Sequence, residues 1–346
     1  MTTVWSTQKL FSNSFSAANV LKVIIFRWLR IAPVLLAVMA LEFVWPLFGD
    51  GPLFSEMASN VETSCKKYWW KNVLMIGNYI EGPSDMCIRH GWYLSAEFQL
   101  FVLGILTLSI MKLHEKLGIL LGFIFILIGM VVPGYQAFFY GYDPAILATH
   151  TDPSVGATFI VKMYLPAHNH LTFYFMGLLV AYGLQTGKIT EQGIKKYRKT
   201  LLFFLFGMLV DVYFPGYWNT FDFPVDPISA GLYSLLNRFI FIMGFLALFF
   251  CSKDFYVGIL IALGISRRKT EDNNGTNNNN GNAVKKEPPT SKALKLISKV
   301  FKRSAKLYFS LYLIHPVMLR YDWFTSRSLF NFDSYTNVSL FVSKNH

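Results

Sequence analysis

The chain has 346 residues; 53% are hydrophobic and 17% aromatic against 15% charged, and the apolar residues recur in long runs. That balance excludes an ordinary soluble domain and belongs to the membrane class. The formal net charge of +12 would suit a nucleic-acid partner, but the basic residues cluster between apolar runs, as in cytoplasmic loops, so no nucleic-acid partner is expected.

Taken in order, residues 1–19 are polar and mixed and lack the basic-then-apolar pattern of a cleavable signal peptide. A membrane span needs ~20 mostly apolar residues, and about seven are predicted. The first is 31–48, after an amphipathic lead-in over 1–30 that carries Lys22, Arg27 and Arg30. The second, 91–111, and third, 117–140, are separated by a tight turn at Lys112–Lys116, and the fourth is 171–186. The fifth is 201–213, stopped by Pro215-Gly216, and the sixth is 228–251. The run 255–265 is too short to span. Residues 266–304 form a polar, asparagine-rich linker that cannot bury enough surface to fold. The last span, 305–319, leads into a tail ending at His346. The predicted fold class is therefore all-α, a polytopic transmembrane bundle over 31–265 completed by the 305–346 segment.

Orientation follows from lysine and arginine counts. The lead-in, the turn with Lys112 and Lys116, the segment with Lys188, Lys195, Lys196, Arg198 and Lys199, and the linker share one basic side. That side is expected to be cytoplasmic, with the N-terminus on it and the 49–90 loop exterior. Asn274-Gly-Thr276 is then expected to stay unglycosylated. An exterior loop permits a Cys65–Cys87 disulfide, which would contribute about 3 kcal/mol by chain entropy; two unpaired thiols are the alternative. Cys251 reads as an apolar filler or a palmitoylation site.

Candidate chemistry begins at Arg27 and Arg30. They lie one helical turn apart, so a helix puts both on one face. Planar guanidinium groups suit phosphate oxygens, although arginines at a span's cytoplasmic edge also serve as ordinary anchors. Glu97 lies inside an apolar span, where a carboxylate is costly and faces protein or water. It can act as a general acid or base, or pair with a buried cation such as Arg238. Trp92, Ser95 and Gln99 share one face of that helix while Glu97 points elsewhere. Trp92 and Tyr93 also fit an interfacial aromatic belt. His168 and His170 flank Asn169, but nothing fixes a metal geometry around them and none is expected. His315 lies at membrane depth, which makes it a candidate too. No phosphate loop, dinucleotide fingerprint, nucleophile elbow or His-Glu-x-x-His motif is present.

One ordered set of motifs is more specific. It comprises Arg27-Trp-Leu-Arg-Ile-Ala-Pro, Cys65-Lys-Lys-Tyr-Trp-Trp-Lys-Asn, Asn78-Tyr79, Met86-Cys87, His90-Gly-Trp-Tyr-Leu-Ser-Ala-Glu-Phe-Gln-Leu, Gly177-Leu-Leu-Val-Ala-Tyr-Gly and Tyr312-Leu-Ile-His-Pro. In this order it resembles the nose-resistant-to-fluoxetine branch of the acyltransferase-3 membrane proteins. The resemblance implies an integral membrane, multi-pass acyltransferase that moves an acyl group from a cytoplasmic donor to a hydroxyl acceptor. Acyl-CoA would be the co-substrate rather than a bound cofactor, and the surrounding partners would be membrane lipids. It implies donor binding at Arg27 and Arg30, with Trp92 and Gln99 as further substrate contacts and Glu97 and His315 as catalytic candidates. The family usually has arginine near the position of His170. Its catalytic histidine lies on a span upstream of the arginine pair, where this sequence has no histidine. The chain is accordingly expected to be an incomplete copy, inactive by itself. The alternative function is a transporter or lipid-handling protein that keeps the fold without the chemistry, with Glu97, Asp211 and Arg238 along a polar pathway.

Overall fold

The computed structural model describes residues 17–44, 47, 49, 54–80, 82, 85–145, 153–221, 226–251, 312, 314 and 315. Among them the regular structure is entirely helical: α1 (Ala17–Val44), α2 (Phe54–Val73), α3 (Trp92–Leu113), α4 (Glu115–Tyr140), α5 (Pro153–Thr158), α6 (Leu171–Gln185), α7 (Glu191–Lys196), α8 (Arg198–Phe221) and α9 (Pro227–Cys251). Short 3-10 turns at Arg89–Gly91 and Ala167–His170 and a π-helix at Phe159–Tyr164 complete it. Four of these helices are long and apolar enough to cross a membrane: α1, α3 with its leading turn, α4 and α9. The protein is a helical membrane bundle. The linker at 266–304, the run 255–265, Asn274 and all of the 305–319 segment except 312, 314 and 315 lie outside the described residues, as does the side chain of Cys251.

Alternating directions order the bundle. α3 and α4 meet at His114, and Gly118 lies so close to Met111 that a Cβ there would overlap its backbone. α4 returns beside α6, where Thr172 donates to the Ile126 carbonyl across the helices at 3.0 Å. Small residues allow this approach, as in membrane helix packing: a Cβ on Gly129 would come within 2.6 Å of the Thr172 backbone nitrogen. Gly134 and Gly231 do the same between α4 and α9. α8 folds back against α9, bringing Gly244 onto Met208 and Phe204. One end of the bundle therefore gathers the disulfide connection, the starts of α3, α6 and α9, and the end of α4. The opposite end holds the lysine-rich turn, where Glu115 accepts from Lys188 at 2.5 Å and from Tyr182 at 2.7 Å.

Three expectations change. The lead-in and first span are one continuous helix of 28 residues, ~42 Å long at 1.5 Å per residue. Arg27 and Arg30 consequently lie inside it, not at its edge. The 49–90 connection is not a plain loop, because it contains α2. Buried Phe54, Ala58, Val61 and Cys65 form a stripe on α2 that packs on Ile31, Leu35, Val38 and Met39 of α1. Finally, α8 does not stop at Pro215-Gly216 but runs to Phe221. Proline removes one intrahelical hydrogen bond, a loss that membrane helices tolerate.

Candidate functional site

The site is built around the first two turns of α3. The Arg89–Gly91 turn delivers the chain into this helix, and Leu94, Ser95 and Ala96 are buried there. Glu97 points toward α1 and forms an ion pair with Arg27. The guanidinium also stacks over Phe101, 4.1 Å from the ring centroid. About a quarter of each charged side chain is exposed, so the pair sits in largely apolar surroundings. Its contact is Arg27, not Arg238. The latter lies on α9 and donates to the Ser234 carbonyl at 3.3 Å and the Met163 carbonyl at 3.4 Å. The two motif arginines also differ in setting: Arg27 is held by Glu97 and Phe101, whereas Arg30 is exposed on the next turn.

From Glu97 a run of reactive side chains leads outward along α3. Tyr93, one turn back, lies within electrostatic reach of both Glu97 and Arg27. Its ring meets that of Tyr312, centroids 5.6 Å apart. Tyr312 donates from its hydroxyl to the His90 carbonyl at 2.8 Å. His315 closes the group, with its ring 5.8 Å from Tyr312 and 6.5 Å from His90. Arg27, Glu97 and His315 thus come to one end of the bundle, joined through Tyr93, Tyr312 and His90.

Trp92 and Gln99 face the other way, as the helical period requires. Gln99 donates to the Met75 carbonyl at 2.7 Å and to Asn78 at 2.8 Å. Met75 is buried and left-handed, with φ 56°. It ends α2 through hydrogen bonds from Ile76 to Lys71 and from Met75 to Asn72, a closure that glycine usually makes. A non-glycine residue in that region is strained by about 1–2 kcal/mol, and Gln99 helps to hold it. The Cys65–Cys87 disulfide ties α2 to the segment entering α3. Gln99 is therefore a clamp on this connection, while Trp92 packs on Tyr164 (4.8 Å) and His170 (5.9 Å).

Next to this clamp lies a polar cleft of about 570 Å³, lined by Lys71, Asn78, Tyr79, Gln136, Lys162 and His168. The two neighbouring histidines part company across Asn169. His168 stacks on Tyr79, whereas His170 donates through Nε2 to the Tyr164 carbonyl at 2.7 Å. Asn169 is fully buried and ties Gln136 to the Lys162 and Met163 carbonyls. Burial lowers the pKa of both histidines, and the nearby charge of Arg238 lowers them further. The carbonyl of Tyr164 pulls the value for His170 back up only in part.

Sequence reasoning gave no role to Tyr312 or His90. It also missed the hydrogen bonds that tie Asn78 to Gln99 and the Leu165 carbonyl, and Asn169 to Gln136 and the Lys162 and Met163 carbonyls. The available signal was polar density beside the cysteines, namely Asn72, Asn78 and Tyr79 within a segment flanked by apolar helices.

An all-α bundle with several apolar spans, a disulfide-closed connection and an ion pair held between helices defines a polytopic membrane protein. Over 184 residues, 51% of its length, the chain is 24% identical to nose resistant to fluoxetine protein 6 of Caenorhabditis elegans. That stretch is 22% of the relative's own length. No family model matches the chain, and no solved structure matches it. The similarity supports the nose-resistant-to-fluoxetine resemblance carried by the motifs.

Proposed function

We propose that the protein is a membrane acyltransferase of the acyltransferase-3 kind, moving an acyl group from an acyl-CoA-type donor to a hydroxyl acceptor. The observation that carries this reading is the convergence of Arg27, Glu97, Tyr93, Tyr312, His90 and His315 at one end of an apolar bundle. Polar groups gathered at such a place mark a functional site. Arg30, exposed one turn beyond the ion pair, binds donor phosphate. Glu97 fixes Arg27 as a second cation on that side. The acceptor oxygen attacks the thioester carbonyl, so a C–O bond forms and the C–S bond breaks. His315 takes the hydroxyl proton, and the CoA thiolate leaves and is then protonated.

The test is release of free CoA by the full chain in lipid nanodiscs, supplied with octanoyl-CoA and hydroxylated lipids. Acceptor-dependent release is expected because His315 stands in for the family's upstream histidine, a departure from the inactivity expected of the sequence. His315→Ala should lower release at least about a hundredfold, the usual scale for removing a proton-transfer group, and Glu97→Gln should lower it by freeing Arg27. Release that needs no acceptor, or that His315→Ala leaves unchanged, would refute the proposal.

A second reading, lipid handling without chemistry, draws on a different observation. Arg238 on α9 is held by main-chain carbonyls and interacts electrostatically with Asp211 on α8. Acceptor-independent lipid movement between leaflets, sensitive to Arg238→Leu, would favour it.

A further inference from the structure

α8 and α9 form an antiparallel hairpin whose two helices touch most closely where Gly244 meets Met208 and Phe204. Toward the disulfide end they part, leaving an elongated groove of about 520 Å³. Its walls include Phe203, Phe206, Leu232 and Leu236, but its floor carries Asp211 and Asn237. Tyr233 donates to the main-chain carbonyl of Asp211 at 3.4 Å, and Asn237 is hydrogen-bonded to the Tyr233 side chain. The Asn237 Oδ1 atom is buried with no partner among the described residues. Among the same residues, no donor lies within hydrogen-bond or ion-pair distance of the Asp211 carboxylate. One acceptor of a groove-lining residue, the Asp211 carboxylate, and one buried behind the lining, Asn237 Oδ1, thus lack donors, an arrangement that is costly unless something supplies them.

We propose that this groove binds a neutral hydroxylated lipid, with its apolar body along the Phe203–Leu236 walls and its hydroxyl donating to the Asp211 carboxylate beside Asn237. A neutral donor fits better than a cation, because Arg238 already sets a positive charge within electrostatic reach of Asp211. A mostly apolar pocket with a few convergent polar groups is the usual form of a small-molecule site. The inference is independent of acyl transfer: loss of CoA-thioester binding would leave it standing.

The experiment uses the full chain in phosphatidylcholine nanodiscs and three photoreactive probes of equal length. They are a diazirine-bearing monoacylglycerol, its dimethyl ether, and its amine analogue. Labelled peptides are mapped by mass spectrometry. The monoacylglycerol should label residues 203–211 and 229–240 at least about tenfold more than the ether, which keeps the apolar body but donates nothing. Asp211→Leu combined with Asn237→Leu should reduce hydroxyl-probe labelling to the ether's level. Leu232→Trp, which adds bulk at an exposed groove position, should lower labelling by all three. Equal labelling by hydroxyl and ether probes, stronger labelling by the amine, or no labelling of these peptides would each overturn the proposal. The three wild-type measurements decide this even where a variant fails to fold.

Discussion

At the residue scale, the Arg27–Glu97 pair makes two separable demands. Removing one member leaves the other charged in apolar surroundings, whereas removing both does not. Glu97→Gln is expected to destabilise the inserted protein by about 3 kcal/mol, while Arg27→Met with Glu97→Leu stays within about 1 kcal/mol of wild type. Unfolding in mixed detergent micelles reads both, and a double variant less stable than either single one would contradict the pairing. His170 supports a pH prediction. Its folded pKa is lowered, first by burial, from an ordinary value of 6.5, so folding favours the neutral ring. Its contribution is fully present above about 6.5 and is lost as pH falls through the lower folded value. His168 is shifted in the same direction. Wild type should therefore lose stability between pH 7.5 and 5 more steeply than a His168→Asn, His170→Asn variant; equal slopes would contradict this. Glu97 was legible as a single carboxylate in an apolar run, but its partner was not. Arg27 and Glu97 are 70 positions apart, and no local period links such residues.

At the scale of elements, glycines separate close packing from open surface. Gly129 faces α6, where an added Cβ would meet the Thr172 backbone, whereas Gly177 has nothing within 4 Å. Gly129→Ala is expected to cost roughly 2 kcal/mol by forcing two helices apart. Gly177→Ala should be neutral or stabilising by up to about 1 kcal/mol through helix propensity alone. Thermal unfolding of the two single variants decides, and the reverse order would refute the α4–α6 contact. The spans α3, α4 and α9 were readable because each is a long apolar run broken by charged or turn residues. α2 was not, because charged residues separate its buried positions. Its stripe of Phe54, Ala58, Val61 and Cys65 follows a helical period that a search for continuous apolar runs passes over. The left-handed residue that ends α2 was equally hidden, since methionine carries no turn signal.

At the scale of the whole molecule, the alternating helices put the disulfide connection and the lysine-rich turn at opposite ends. Single cysteines at Tyr79 and Lys112 should therefore react with an impermeant maleimide from opposite sides of a sealed vesicle. Reaction of both from one side would break the bundle's order. The same arrangement sets Arg27 level with Glu97, toward the disulfide end, a depth that a positive-charge count could not reveal because it reads loops and not tilt.

The central claim, that the arginine pair on α1 receives the phosphates of an acyl-CoA-type donor, is most directly tested by equilibrium binding of octanoyl-CoA to the full chain in nanodiscs. Two guanidinium contacts to phosphate, each worth about 1.5–3 kcal/mol, predict that Arg27→Ala with Arg30→Ala weakens binding roughly a hundredfold or more. The corresponding double lysine variant should fall in between, because it keeps charge but loses the planar fork. Unchanged affinity in a double-alanine variant that inserts correctly and keeps its Cys65–Cys87 bond would contradict the account, as would a wild-type chain that binds no CoA thioester.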